Sequence, residues 1–234
     1  MLATDMNQPT SNRWWHGREW TLALCLLIAI VNFGVFGGSP AWFGDLVSAL
    51  QYDRAAIQNG EVWRVFTGNL VHWSPDHFAL DVGVFLIVGM LYEPVLRQSW
   101  LWLIFGSGFA VGFAVFLLQP NLAIYRGLSG VDSGLFAAAL GIECLLARRE
   151  WRRWLWVGPA VLIFVSKLLY ECASGKLFFG TESLGNIGEP VPLAHVAGVF
   201  AALGCLILCV LKKGSGFGVQ GSRCDGADIA LWRW

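Results

Sequence analysis

The sequence predicts an all-α, polytopic membrane protein with six transmembrane helices. Hydrophobic residues make up 56% of the 234 residues and charged residues only 14%, whereas soluble domains carry about 25% charged residues. The chain also has 13 Trp and 28 Gly, and transmembrane helices tolerate Gly and keep Trp at their interfaces. This composition indicates a lipid bilayer as the environment. Since the net charge is zero and no basic stripe is present, we expect no nucleic acid as a partner.

Six apolar segments approach the roughly 20 residues that a helix needs to cross a bilayer. They are Trp20–Gly37, His77–Glu93, Trp100–Leu118, Ser129–Ala147, Trp154–Tyr170 and Val191–Leu211. The first apolar run is longer than the core of a typical signal peptide, and no small-x-small cleavage site follows it. We therefore expect it to remain as the first helix.

Lys and Arg residues are distributed unequally on the two sides of these spans. Eleven of them fall on the side that carries both termini, and four fall on the opposite side. Because cytoplasmic loops are enriched in Lys and Arg, the sequence predicts that both termini lie in the cytoplasm.

The six predicted spans divide the chain into a helical domain and two tails. Residues 1–19 are expected to form a cytoplasmic tail, residues 20–211 the six-helix domain, and residues 212–234, which are rich in Gly and Ser, a flexible cytoplasmic tail. Within the domain, the outer loop 38–76 carries apolar residues and should form short helices at the interface. Interfacial anchors are expected at Trp14, Trp15, Trp100, Trp154, Trp232 and Trp234.

Polar side chains on three predicted helices share one depth near the outer leaflet. His77 and Asp81 lie at the outer end of the second helix, Ser129 and Asp132 at that of the fourth, and His195 at that of the sixth. Ionisable groups inside a membrane are costly and therefore indicate a functional site.

Ser129 lies in the Gly-flanked segment 127–130 at the start of the fourth helix. Glycine allows close approach of a substrate, and a helix N-terminus favours negative charge on a tetrahedral intermediate. Ser129 would then be a nucleophile and His195 its general base, while His77 could donate to the oxyanion. The alternative is that Ser129 merely caps the helix.

Small residues recur at every fourth position on the fourth and sixth helices. Such stripes allow close helix packing in membranes, which the Ser129–His195 pair requires. The two stripes are Gly130, Gly134, Ala138 and Ala194, Gly198, Ala202.

The remaining polar residues are expected to have other roles. We favour an interfacial loop position for His72. Asp132 could orient His195 as a third member, but we favour pairing of Asp132 with Lys167. Glu143 is expected to reach toward the arginines of the following loop.

Several other chemistries lack their sequence patterns. The chain has no His-Glu-x-x-His zinc motif, no pair of intramembrane aspartates in a Gly-rich motif, and no Gly-rich phosphate loop. We therefore expect neither a metal nor another cofactor.

Short motifs in chain order resemble the rhomboid family of intramembrane serine proteases. They are Glu61–Arg64, His72–His77 followed by Asp81, Gly89 with Glu93, Gly127–Gly130 and Ala194–Gly198. The resemblance implies a six-helix rhomboid-like bundle with Ser129 and His195 as a catalytic dyad. It assigns the oxyanion and accessory roles to His77, Asp81 and Gly127.

A closer resemblance is to the rhombosortase subfamily, through Gly127–Leu135 and Lys167–Glu171. That resemblance implies exported bacterial substrates with a C-terminal Gly-Gly, a hydrophobic helix and a basic tail. It also implies a bacterial inner-membrane location with the active site toward the periplasm. The alternatives are a general rhomboid that acts on single-span membrane proteins and a non-catalytic, rhomboid-like membrane chaperone.

Asp81 departs from the family pattern, which usually has Asn at this position. An ionised carboxylate cannot donate a hydrogen bond to an oxyanion. Either Asp81 is protonated, or His77 and the Ser129 N–H suffice.

Overall fold

The computed structural model describes residues 16–36, 41–178 and 189–214. In this part of the chain the fold is helical, with one short two-stranded ladder. The elements in chain order are α1 (Glu19–Val31), α2 (Ala41–Leu50), β1 (Tyr52–Asp53), α3 (Arg54–Gln58), α4 (Arg64–Thr67), α5 (Pro75–Leu96), α6 (Gln98–Leu118), β2 (Ile124–Tyr125), α7 (Ser129–Ala147), α8 (Trp154–Ser174) and α9 (Pro192–Gly214).

Among the described residues, the five helices α5 to α9 are long and apolar enough to cross a membrane. The first predicted span instead forms the 13-residue helix α1, followed by a 3-10 turn over Phe33–Phe36. Asn32 provides the physical reason for this early end. Its side-chain amide donates to the carbonyls of Ile28 at 2.8 Å and Leu70 at 2.7 Å, and accepts from the His72 N–H.

A buried carboxylate of α5 holds the start of α1. Glu93 accepts hydrogen bonds from the backbone N–H groups of Trp20 and Thr21 and from the Thr21 hydroxyl. The first N–H groups of a helix have no partner within the helix, and their positive dipole end attracts an anion. Gly89 permits this close contact, because a Cβ there would collide with the Thr21 side chain.

The segment between α1 and α5, which includes the described part of residues 38–76, contains the short helices α2, α3 and α4. The antiparallel pairing of β1 with β2 was not predicted; it joins this segment to the chain just before α7. Arg64 is buried and organises the segment, donating to Glu61 and to the carbonyls of Ser48 and Gln51 at 2.7–3.0 Å.

Helix α7 lies at the centre of the bundle and is the most buried of the long helices. It packs closely against α9, because Gly130 and Gly134 face Gly198 with backbone against backbone. The predicted close packing of the two small-residue stripes is therefore confirmed.

Some of the expected positions of other residues are corrected. Trp100 was expected at the interface, but its side chain is fully buried and packs against Phe85 with 6.1 Å between ring centroids. Trp154 is 44% exposed, and the other four predicted tryptophan anchors lie outside the described residues. Glu143 pairs with Arg153 at 3.0 Å, as predicted, and accepts from the Tyr92 hydroxyl.

Residues 1–15 of the predicted N-terminal tail and residues 215–234 of the predicted C-terminal tail also lie outside the described residues. Helix α9 continues to Gly214, three residues past the predicted end of the domain.

Candidate active site

Ser129 is the first residue of α7 and follows a turn that requires glycine. Gly127 has φ +135°, and a Cβ at this position would stand 2.9 Å from the His77 ring. The turn is held by hydrogen bonds from the Gly127 N–H to the Gly68 carbonyl and from the Tyr125 hydroxyl to the Gly127 carbonyl. Burial raises the pKa of Tyr125, so its phenol remains neutral and can donate.

The structure brings Ser129 and His195 together. The Ser129 Oγ lies 3.0 Å from the His195 Nε2, and His195 is only 5% exposed. His195 stands in the first turn of α9, one turn before Gly198, whose contact with Gly130 sets the separation of the two helices.

Glu171 contacts the other nitrogen of the His195 ring, which the sequence did not predict. Its Oε2 lies 2.8 Å from the His195 Nδ1 and accepts a 2.8 Å hydrogen bond from the Lys167 ammonium. The predicted pairing of Lys167 with Asp132 is therefore wrong. Asp132 is buried, and its Oδ1 has no hydrogen-bond partner.

The predicted fifth span ended at Tyr170 and therefore left Glu171 outside the helix. In the structure α8 continues to Ser174 and buries this carboxylate. The spacing of Lys167 and Glu171, four residues apart, was a signal that the helix continues, because such residues lie on one helix face.

Asp81 lies beside the turn that precedes Ser129. Its Oδ2 accepts a 2.8 Å hydrogen bond from the Leu128 N–H and lies 3.3 Å from the Nε2 atoms of both His72 and His77. His77 is aligned with Asp81 because Ser74 caps α5 by accepting from the His77 N–H, and the two residues are one helical turn apart.

The expected interfacial position of His72 is wrong. Its side chain is fully buried, and its ring meets the His77 ring edge to face with 5.1 Å between centroids. Burial lowers the pKa of His72, which favours the neutral imidazole beside Asp81.

Ser129 and His195 line two cavities. A small one of about 30 Å³ is lined by residues that include Tyr125, Arg126 and Glu189, and has room for about one water molecule. A cavity of about 490 Å³ lies between α5, α7 and α8. Its apolar lining residues are Leu80, Val84, Phe136, Ala160, Ile163, Phe164 and Leu177.

A family model described as Rhomboid domain matches residues 59–212. The chain belongs to the rhomboid family. Rhomboids are serine intramembrane proteases that act on membrane protein substrates within the bilayer, although some members are inactive. The matched range contains Ser129, His195, Glu171, His77 and Asp81. A comparison with curated proteins finds no match.

This rhomboid is an integral membrane protein. In the described ranges, no three His, Cys, Asp or Glu side chains converge in a way that could hold a metal ion. The polar groups at the site instead form a linear chain from Ser129 through His195 to Glu171 and Lys167. Such a chain can move a proton from a hydroxyl to an imidazole.

Proposed function

We propose that this rhomboid is an active intramembrane serine endopeptidase with Ser129 as nucleophile and His195 as general base. The observation that carries the proposal is the 3.0 Å contact between the Ser129 Oγ and the His195 Nε2. A serine hydroxyl is a weak nucleophile at neutral pH and needs such a base. An N-cap role alone does not account for an imidazole from a different helix at this distance.

In the proposed reaction the Ser129 Oγ attacks the substrate carbonyl while its proton passes to the His195 Nε2. The carbonyl oxygen becomes an oxyanion near the N-terminus of α7. The first N–H groups of a helix lack intrahelical partners, so the Ser129 N–H can donate to this oxyanion. His195 then returns the proton to the leaving amine, and water hydrolyses the acyl-enzyme.

His77 and Asp81 have accessory roles in this proposal. The His77 ring lines both cavities beside Ser129 and could donate to the oxyanion. Asp81 accepts from the Leu128 N–H and thereby fixes the turn at Gly127 that presents the nucleophile. This role does not require the Asp81 carboxyl to donate a hydrogen bond.

The proposed substrates are exported bacterial proteins anchored by a C-terminal Gly-Gly, a hydrophobic helix and a basic tail. The resemblance of Gly127–Leu135 and Lys167–Glu171 to rhombosortases supports this substrate class. The apolar cavity between α5, α7 and α8 supports it as well, because it could receive an apolar segment next to Ser129. With the Lys and Arg distribution, we propose a bacterial inner-membrane location, cytoplasmic termini and a periplasmic active site.

Co-expression with a Gly-Gly-tailed exported protein tests this proposal. We expect the wild type to shorten that protein, as measured by its intact mass, and Ser129→Ala to leave it uncut while remaining folded in the membrane. A Ser129→Ala variant that still cuts it would refute the mechanism.

A second substrate arm separates the alternatives. Cleavage of a single-span membrane protein without the Gly-Gly tail, and not of the tailed protein, would indicate a general rhomboid. Binding of either protein with no cleavage by the wild type would indicate a non-catalytic chaperone.

A further inference from the structure

Glu171 is a buried carboxylate on a helix that is otherwise little buried. It is 1% exposed, whereas the only other buried residue in the described helix α8 is Val157. Both of its oxygens have partners: Oε2 contacts the His195 Nδ1 and the Lys167 Nζ, each at 2.8 Å, and Oε1 accepts from the Phe178 N–H at 3.1 Å. The carboxylate is therefore held in one orientation against the histidine.

The orientation of Glu171 determines which His195 nitrogen carries the proton. A carboxylate can only accept hydrogen bonds, so the Nδ1 that faces it must be the protonated nitrogen. The Nε2 that faces the Ser129 Oγ is then free to accept the hydroxyl proton. After that transfer the imidazolium lies beside an anion, which stabilises it.

Lys167 completes the arrangement by compensating the carboxylate charge. Burying an isolated carboxylate is costly unless it is paired and hydrogen-bonded. The Lys167 ammonium supplies the pairing from one helical turn away, and its side chain is 18% exposed toward the large cavity. The Lys167 Nζ is 3.5 Å from the His195 Nδ1, farther than the Glu171 oxygen, so the carboxylate is the closer partner of the ring.

We propose that Glu171 is a positioning residue that acts through His195, so that the site is a Ser–His–Glu triad instead of a dyad. The proposal rests on the proposed protease function. Its rival is a purely structural role, in which Glu171 and Lys167 only fasten α8 to α9.

The matched test compares Glu171→Gln with Glu143→Gln. Both residues are buried carboxylates that lie in a spanning helix and are paired to a cation. The partners of Glu143 are Arg153 and Tyr92, whereas Glu171 contacts His195. We expect Glu171→Gln to lower kcat by roughly 10²–10⁴-fold with KM unchanged, because the wrong imidazole tautomer cannot accept the hydroxyl proton. Glu143→Gln should keep the wild-type kcat.

The outcomes separate this inference from the proposed function. If Ser129→Ala is inactive while folded Glu171→Gln retains the wild-type kcat, the triad is refuted and the dyad stands. If Ser129→Ala is active, the protease mechanism itself fails. Equal loss of kcat in Glu171→Gln and Glu143→Gln would show a structural role and overturn the inference.

A spectroscopic measurement on the wild type covers the case in which Glu171→Gln does not fold. Nitrogen NMR of histidine-labelled protein, with His195 assigned by comparison with His195→Gln, reports which ring nitrogen bears the proton. We expect protonation at Nδ1. Protonation at Nε2 in the resting enzyme would overturn the inference.

Discussion

Gly198→Ala should lower the proposed protease activity by separating the two helices that carry Ser129 and His195. The added Cβ would stand 2.8 Å from the Gly130 carbonyl carbon and closer still to its oxygen, whereas ordinary contacts begin at 3.4 Å. Gly130 immediately follows Ser129, and Gly198 lies one turn after His195. The methyl group therefore lies close to the Ser129–His195 pair and would push the two helices apart there.

The size of the effect follows from that clash. The colliding atoms belong to the backbone, so α9 must move away from α7 by about 1 Å, and a misplacement of this size can lower a rate by roughly 10²-fold. Crowding a well-packed interface also costs about 1–3 kcal/mol of stability. We therefore expect kcat to fall about 10²-fold in a protein that still folds.

Gly204→Ala is the matched control for this variant. It adds the same methyl group to the same helix, at a position where a Cβ meets nothing within 4 Å. Cleavage rates and thermal unfolding in detergent should be measured for both variants. Gly204→Ala should retain wild-type activity and stability.

A folded Gly198→Ala variant that cleaves at the wild-type rate would refute this reasoning. Such a result would mean that the separation of α7 and α9 does not control the contact between Ser129 and His195. An equal loss of activity in Gly204→Ala would also refute it, because that loss could not come from a clash with Gly130.

Two further substitutions test the polar residues around the site. Asp81→Asn should be tolerated or improve turnover, because an amide oxygen can still accept from the Leu128 N–H; a fall in kcat of roughly two orders of magnitude would show that the carboxylate itself is needed. Asp132→Leu should raise the unfolding free energy by about 1–3 kcal/mol, because an apolar side chain of similar shape replaces a buried carboxyl whose Oδ1 has no hydrogen-bond partner. A lower thermal unfolding temperature for this variant would contradict that interpretation.

The sequence was sufficient to predict those features that depend on periodicity and composition. Apolar segments predicted the long helices, and the small-residue stripes predicted the close contact of Gly130 with Gly198. The early end of α1 was not predictable in the same way. It depends on Asn32 bonding to Leu70 and His72, which are distant along the chain.

The site was only partly predictable because depth in the membrane does not fix which face of a helix a residue occupies. Asp132 and Lys167 were expected to pair on depth alone, but Lys167 pairs within its own helix. Glu171 was missed because the predicted fifth span ended at Tyr170, whereas α8 continues to Ser174 and buries this carboxylate. The burial of His72 likewise depends on contacts with α5, where its ring meets those of His77 and Phe78.

The central claim is that the Ser129 hydroxyl is a nucleophile activated by His195. Peptide mapping by mass spectrometry after reaction with a fluorophosphonate probe tests it most directly. We expect one covalent adduct, located on Ser129 in the wild type and absent from a folded His195→Ala variant. Absence of the adduct from the folded wild type, or undiminished labelling of Ser129 without the imidazole, would contradict it.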